Sequence, residues 1–197
     1  MMKRTIPILA IAATSYFVYA CGNSANTEGR SDDSAYVAGP TSTGSDSTAS
    51  VAAADIADTT FASKAAISGM AEVEFGQLAL EKAQHARVKE FASMMVTDHG
   101  KANAELQEIA AADNLMLPTS LDAEHAEKRK ELASKSGVEF DRAYVAAMVE
   151  GHEKTRDLME QGKSSLTNEK LKGFAEKTTP IVLHHLELIN TIKSEIK

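Results

Sequence analysis

The sequence predicts an all-α protein: four long helices in a bundle, with a fifth, polar helix in one long connection. Three observations lead there. Apolar residues return every three or four positions through four segments, the period of one helical face. Ala and Glu are plentiful while Trp is absent and β-branched runs are scarce, which favours helices over strands. The breaks between first and second and between third and fourth segments are short, whereas a long polar stretch divides second from third. The chain has 197 residues, 43% of them apolar and 5% aromatic, enough for one domain with a real core. Its net charge of -7 and lack of clustered Lys and Arg argue against a nucleic-acid partner.

The start of the chain reads as an address rather than as fold. Lys3 and Arg4 precede an apolar run from Ile6 to Tyr19, and Ala20-Cys21 follows. That run is shorter than the ~20 residues a spanning helix needs. The pattern resembles a bacterial lipoprotein signal over 1–20, in which Cys21, the single cysteine, becomes the lipidated first residue. The expected partner is then a membrane, reached through a lipid on Cys21 and not by spanning it. The expected location is the bacterial cell envelope, with the domain in the periplasm or at the cell surface. Residues 21–57 are rich in Ser, Thr, Gly, Asp and Ala and read as a disordered tether, leaving 58–197 as the helical domain.

The first helix is expected from Asp58, Thr59 or Thr60, each able to cap it, to about Ala83. Its stripe is Phe61, Ile67, Ala71, Phe75, Leu78 and Ala79, bordered by Glu72 on one side and Glu74 on the other. Residues two apart point about 160° away from each other, so at most one of these carboxylates faces the interior. After a link near 84–87 the second helix runs to about Ala112. Its stripe of Val88, Phe91, Ala92, Met95, Ala102, Leu106 and Ile109 is interrupted by His99, with Asp98 at the edge. Glu72 and His99 stand nearly equidistant from the link and should meet at one height.

A polar helix is expected over about Leu121 to Lys135, long enough with its arms to carry the chain from one end of the bundle to the other. Such a crossover between second and third helices marks ferritin-like bundles. The third helix, about Val138 to Gly162, aligns Asp141, Tyr144, Val145, Met148, His152, Thr155 and Met159. The fourth, from about Thr167, aligns Leu171, Phe174, Thr178, Val182, Leu186, Ile189 and Ile196, with His185 at the border and His184 facing solvent. Pro180 should kink or divide it.

Each long helix thus offers an inward polar group: Glu72, His99, His152 and His185, with Glu74, Asp98 and Asp141 as second choices. Three imidazoles and a carboxylate suit a transition metal such as Zn, Cu, Fe or Mn. Counting from the last link leaves His185 about 10 Å out of level with His152 unless the Pro180 kink absorbs it. Met94, Met95, Met148 and Met159 read as core filler in an aromatic-poor bundle.

The stretches Gly69-Met70-Ala71-Glu72-Val73-Glu74-Phe75-Gly76-Gln77-Leu78-Ala79 and Phe91-Ala92-Ser93-Met94-Met95-Val96-Thr97-Asp98-His99 resemble those of an exported bacterial family, domain of unknown function 4142, in the ferritin-like superfamily. Phe140-Asp141-Arg142-Ala143-Tyr144, His152, Pro180 and His185-Leu186 extend the resemblance, which spans about Thr60 to the C-terminus. It implies a ferritin-like bundle and brings no reaction with it. Di-iron members of that superfamily use Glu-x-x-His on two helices. Here Val96 and Val182 stand three before His99 and His185, so the usual di-iron site is not expected. The expectations are a metal-binding envelope module, a structural or partner-binding bundle, and last a redox enzyme, for which no second set of carboxylates is found.

Overall fold

The computed structural model describes residues 47–196, with side-chain environments from residue 57. The expected leader, Cys21 and the tether up to residue 46 lie outside the described residues. Five α-helices follow in order: α1 (Ser47–Lys82), α2 (Ala86–Ala112), α3 (Ala123–Ala133), α4 (Gly137–Ser165) and α5 (Glu169–Glu195). None of them is long and apolar enough to cross a membrane.

Local chemistry explains most boundaries. Helix α2 stops where Asn114 takes a left-handed conformation (φ 54°), letting the Leu115 amide donate back to the Ala110 carbonyl at 2.8 Å. Asp122 caps α3 by accepting from the His125 amide, and Asn168 caps α5 by accepting from Lys170 and Leu171. Helix α1 begins eleven residues before Asp58, the first of its three expected caps. The Ala-rich stretch ahead of Asp58 has the propensity to extend it. Asp58 is therefore inside the helix and serves a tertiary purpose described below.

Two further expectations are corrected. Gly162 does not close α4, which runs on to Ser165. It is there because Phe61 packs against it, and a Cβ would come within 2.6 Å of the ring. Pro180 does not divide α5, which is continuous through it. The ring faces solvent, and so does Glu176, whose carbonyl loses its donor on the wetted side.

Polar contacts fix the topology. Asp141, early in α4, accepts from the amides of Gln84 and His85 in the α1–α2 link at 2.9–3.3 Å. Asp58 on α1 accepts from the amides of Thr167 and Asn168 and from the Thr167 hydroxyl in the α4–α5 link. Helices α1 and α4 are thus antiparallel. Arg87 reaches Glu195 and Asp113 reaches Lys170, so α2 and α5 are antiparallel too. It follows that α2 and α4 run parallel, and the segment between them traverses the bundle, the expected crossover. Helix α3 lies within it, anchored to the bundle by the fully buried Leu132 and by Lys82 donating to the Ala133 carbonyl.

The interior is apolar at both ends and polar between. One cluster holds Phe75, Val88, Phe91, Met95, Phe140, Tyr144, Met148 and Ile189. The other holds Phe61, Leu106, Met159, Leu171 and Phe174, with Phe61 edge-on to Phe174. Between them lie Glu72, His99, His152, Thr155 and His185, each at most 5% exposed.

The two buried aspartates should matter to stability out of proportion to their distance from the centre. Hydrogen bonds to a charged acceptor contribute about 1.5–3 kcal/mol each. Asp141→Ala leaves two link amides without their acceptor and should lower unfolding free energy by about 2–4 kcal/mol in urea titrations, whereas removing the exposed Lys154–Glu124 pair should change it by less than about 1 kcal/mol.

Candidate metal centre

Four helices bring one residue each to the middle of the bundle. Glu72 and His99 meet because they flank the short α1–α2 link symmetrically, and the carboxylate approaches to 2.8 Å from His99 Nδ1. The contact lies off the ring N–H direction, a close ionic approach more than an aligned hydrogen bond. Glu74 points outward and pairs with Arg129 of α3 at 2.8 Å, so the choice between the two carboxylates falls on Glu72.

His185 is fully buried and not at a border. The expected 10 Å offset is absent: His152 Nε2 and His185 Nδ1 stand 3.3 Å apart. The reason is the true end of α4. Because that helix runs on to Ser165, the link centres on Thr167, with His152 15 residues before it and His185 18 after. Three residues of difference are only about 4.5 Å of helix, within reach of side-chain rotation. No break at Pro180 is needed.

The three rings form a nearly equilateral triangle, with centroids 5.3, 5.2 and 5.4 Å apart. Phe91 covers it on one side, packed against His152 and His185. Each ring has one nitrogen tied to an acceptor outside the triangle. His152 Nδ1 lies 2.9 Å from the Met148 carbonyl, which can only accept, so this nitrogen carries the proton. His185 Nε2 lies 3.3 Å from Asp98 Oδ2 and His99 Nδ1 faces Glu72, placing their protons likewise. What remains is His99 Nε2, His152 Nε2 and His185 Nδ1. His99 Nε2 is buried and has no hydrogen-bond partner. One ring nitrogen from each histidine lies within 4.8 Å of the others.

A triangle of that side has its centre about 2.8 Å from each corner, against about 2.0–2.1 Å for a zinc–imidazole bond. Closing the difference takes less than an ångström of ring movement per ligand. The residues present therefore fit a metal ion. Thr155 completes the surroundings by donating to Glu72 Oε1 at 3.3 Å, and His152 Nδ1 is 3.5 Å from the same oxygen.

The charges are set by neighbours. Burial alone would raise the Glu72 carboxyl, but the facing His99 and His152, with a smaller effect from His185, bring it down from 4.5 to about 2. Burial opposes charge on His99 as well, yet Glu72 outweighs it and lifts its pKa above the usual value. His152 is lowered, by burial first. His185 is lowered from 6.5 to about 4, by burial and then by the other two rings. Near neutral pH, two of the three imidazoles are neutral ligands in waiting.

Asp98 stands outside the triangle as the acceptor for His185. Asp141 is far from it, holding the α1–α2 link as described above. Its position on the inward stripe was visible in the sequence, but its non-local amide partners were not. Thr155 and the Met148 carbonyl also belong to the centre, and no sequence pattern marks either.

Acid should destabilise the metal-free protein. His152 and His185 bind protons more readily unfolded, so their contribution is lost as pH falls from about 6.5 toward about 4. His99, with its raised pKa, contributes fully below about 6.5 and cannot offset that loss. Glu72 adds a further loss below about 4.5, its ordinary value. The urea midpoint of the metal-free chain should decline through the first window, with a shallower slope in His185→Gln; a flat profile from pH 6.5 to 4 contradicts this account.

Comparison with known proteins agrees with the fold. A DUF305 fragment from Deinococcus radiodurans superposes with a TM-score of 0.63 at 10% identity, over 71% of this chain and 96% of that one. A DUF305 protein from Streptomyces coelicolor, described as secreted, gives 0.61 at 15% identity, over 71% and 91%. CopM in its Ag-bound form gives 0.58 at 15% identity, over 70% and 96%. At these identities the likeness is one of fold. No curated protein matches the sequence. The model of one family, a domain of unknown function (DUF4142), matches residues 43–192, and with that span covered the chain belongs to the DUF4142 family.

Proposed function

We propose that the bundle is a transition-metal-binding module of the cell envelope, holding one ion through His99, His152 and His185, with Glu72 orienting and charge-balancing His99. The observation that carries this reading is the set of three inward ring nitrogens, each left without a proton because its partner nitrogen is committed to an outer acceptor. Metal-binding histidines are held in this way, with the far nitrogen donating to a carboxylate or a backbone carbonyl. Without an ion, His152 and His185 set two lone pairs against each other at 3.3 Å. An ion turns that repulsion into ligation.

Among Zn, Cu, Fe and Mn, three imidazole donors with one nearby carboxylate favour Zn and Cu over the oxygen-preferring Mn. The silver-bound state of CopM, a protein of similar fold, supports a soft or borderline ion here. Glu72 is the one carboxylate within the layer among the described residues, and Val96 and Val182 replace the carboxylates of a di-iron pair. Binding is therefore favoured over redox catalysis. Export and attachment rest on Lys3, Arg4, the Ile6–Tyr19 run and Cys21. The secreted Streptomyces protein of like fold is in keeping with them.

The full chain, incubated with Zn(II) or Cu(I) and desalted, should retain about one ion per molecule by mass spectrometry. His99→Ala and His152→Ala should each lose it. A wild-type protein that stays metal-free with all four candidate metals sinks the proposal. Binding should also raise the melting temperature of the wild type by several degrees and leave His152→Ala unmoved, since only a folded site gains from the ligand.

A purely structural role for the histidines makes a different demand. Apolar replacements for buried polar groups are often neutral or stabilising. In metal-free protein His99→Leu should keep or raise stability if the layer exists for the ion. A loss of more than about 3 kcal/mol would instead show a network needed for folding itself.

A further inference from the structure

A cavity of about 530 Å³ lies between α1 and α4. Glu72 and Thr155, the hydrogen-bonded pair at the edge of the imidazole layer, are among its lining residues. Ile67 contributes to one wall from α1 and Gly151 to the other from α4. Asp122 and His125, at the start of α3, stand at its rim together with Glu124. Helix α3 is fastened to the bundle near its C-terminal end by Leu132 and Lys82. At its N-terminal end the Glu124–Lys154 pair, exposed on both sides, holds it at 3.0 Å. Exposed pairs of that kind contribute at most about 1 kcal/mol.

We propose that metal ions reach the imidazole triangle through this groove, passing beneath the first turn of α3 and meeting Glu72 as the first protein group inside. This rests on the metal-binding reading of the triangle. Two features favour the groove over the opposite face. Carboxylates outnumber amines along it, since Asp122, Glu124, Asp157 and Glu72 face only Lys64 and Lys154, and a cleft of that sign concentrates cations. On the α2–α5 side, Asp98 closes over His185, and Phe91 packs on the rings. Glu72 belongs both to the groove and to the triangle, so an ion arriving at its carboxylate is already beside His99 and His152. The Thr155 hydroxyl must release Glu72 Oε1 as the ion passes, a single weak bond at 3.3 Å.

Gly151 allows a direct test, because a Cβ there meets nothing within 4 Å. Gly151→Leu should fill the groove without disturbing the bundle, and replacing a helical glycine favours the helix. Ile67→Trp narrows it from the other wall. Gly173→Leu is the control, since it adds the same bulk at an equally open position on α5. Co(II) uptake by the full-length metal-free chain, followed by its visible absorption in a stopped-flow mixer, should be at least tenfold slower in Gly151→Leu and in Ile67→Trp. Final stoichiometry should equal wild type, and Gly173→Leu should load at the wild-type rate. Unslowed loading in both groove variants overturns the route while leaving the site intact, as does equal slowing in the control. Lost stoichiometry in both groove variants also overturns it, for the bulk would then be acting on the ligands. A wild type that takes up no Co(II) removes the site, and the route with it.

Discussion

One carboxylate, Glu72, decides what the middle of this bundle is. It touches His99 on α2 and, through Thr155 and His152, α4, so that three helices are referred to one buried charge. An anion in an apolar interior is expensive unless its partners compensate. Here the compensation is a proton held on His99, and the two ring pKa values that fall do so partly because that charge is present. Protonation of the layer is thus a collective property. An ion entering the triangle would take over the role of the His99 proton, which ties occupancy to pH through the same carboxylate.

The layer also sets register. If α1 slid by one turn against α2, Glu72 would face Met95 or Asn103 in place of His99, and an unpaired charge would sit against an apolar wall. The apolar clusters above and below tolerate such a slip far better, since Met, Leu and Ala can exchange neighbours at modest cost. Gly76 adds a steric lock, because a Cβ there would lie 3.1 Å from the Ala92 carbonyl. Close approach of α1 and α2 and the pairing of Glu72 with His99 are therefore one arrangement seen from two sides.

Much of this was legible in the chain. The period of the stripes, the short and long breaks and the lone histidine within an apolar arc are local facts, and they led to the bundle, the crossover and His99. Simple angular arithmetic separated Glu72 from Glu74. What escaped depended on helix ends and on distant partners. A three-residue error at the end of α4 displaced His185 on paper by a full turn. Asp58 and Asp141 looked like a helix cap and a candidate ligand, since their acceptor roles toward amides more than 50 residues away leave no pattern in neighbouring sequence. The Ala-rich stretch before Asp58 was composition without a partner, and its helical state came from extension of α1.

Those two aspartates have a consequence for how the chain folds. The turn of the first hairpin is held by a residue of the second, and the turn of the second by a residue of the first. Neither hairpin can complete its own reversal before the other has docked, and the crossover must already have carried α4 to the correct end. Formation of the domain is consequently all-or-none, with the two halves acting as each other's template.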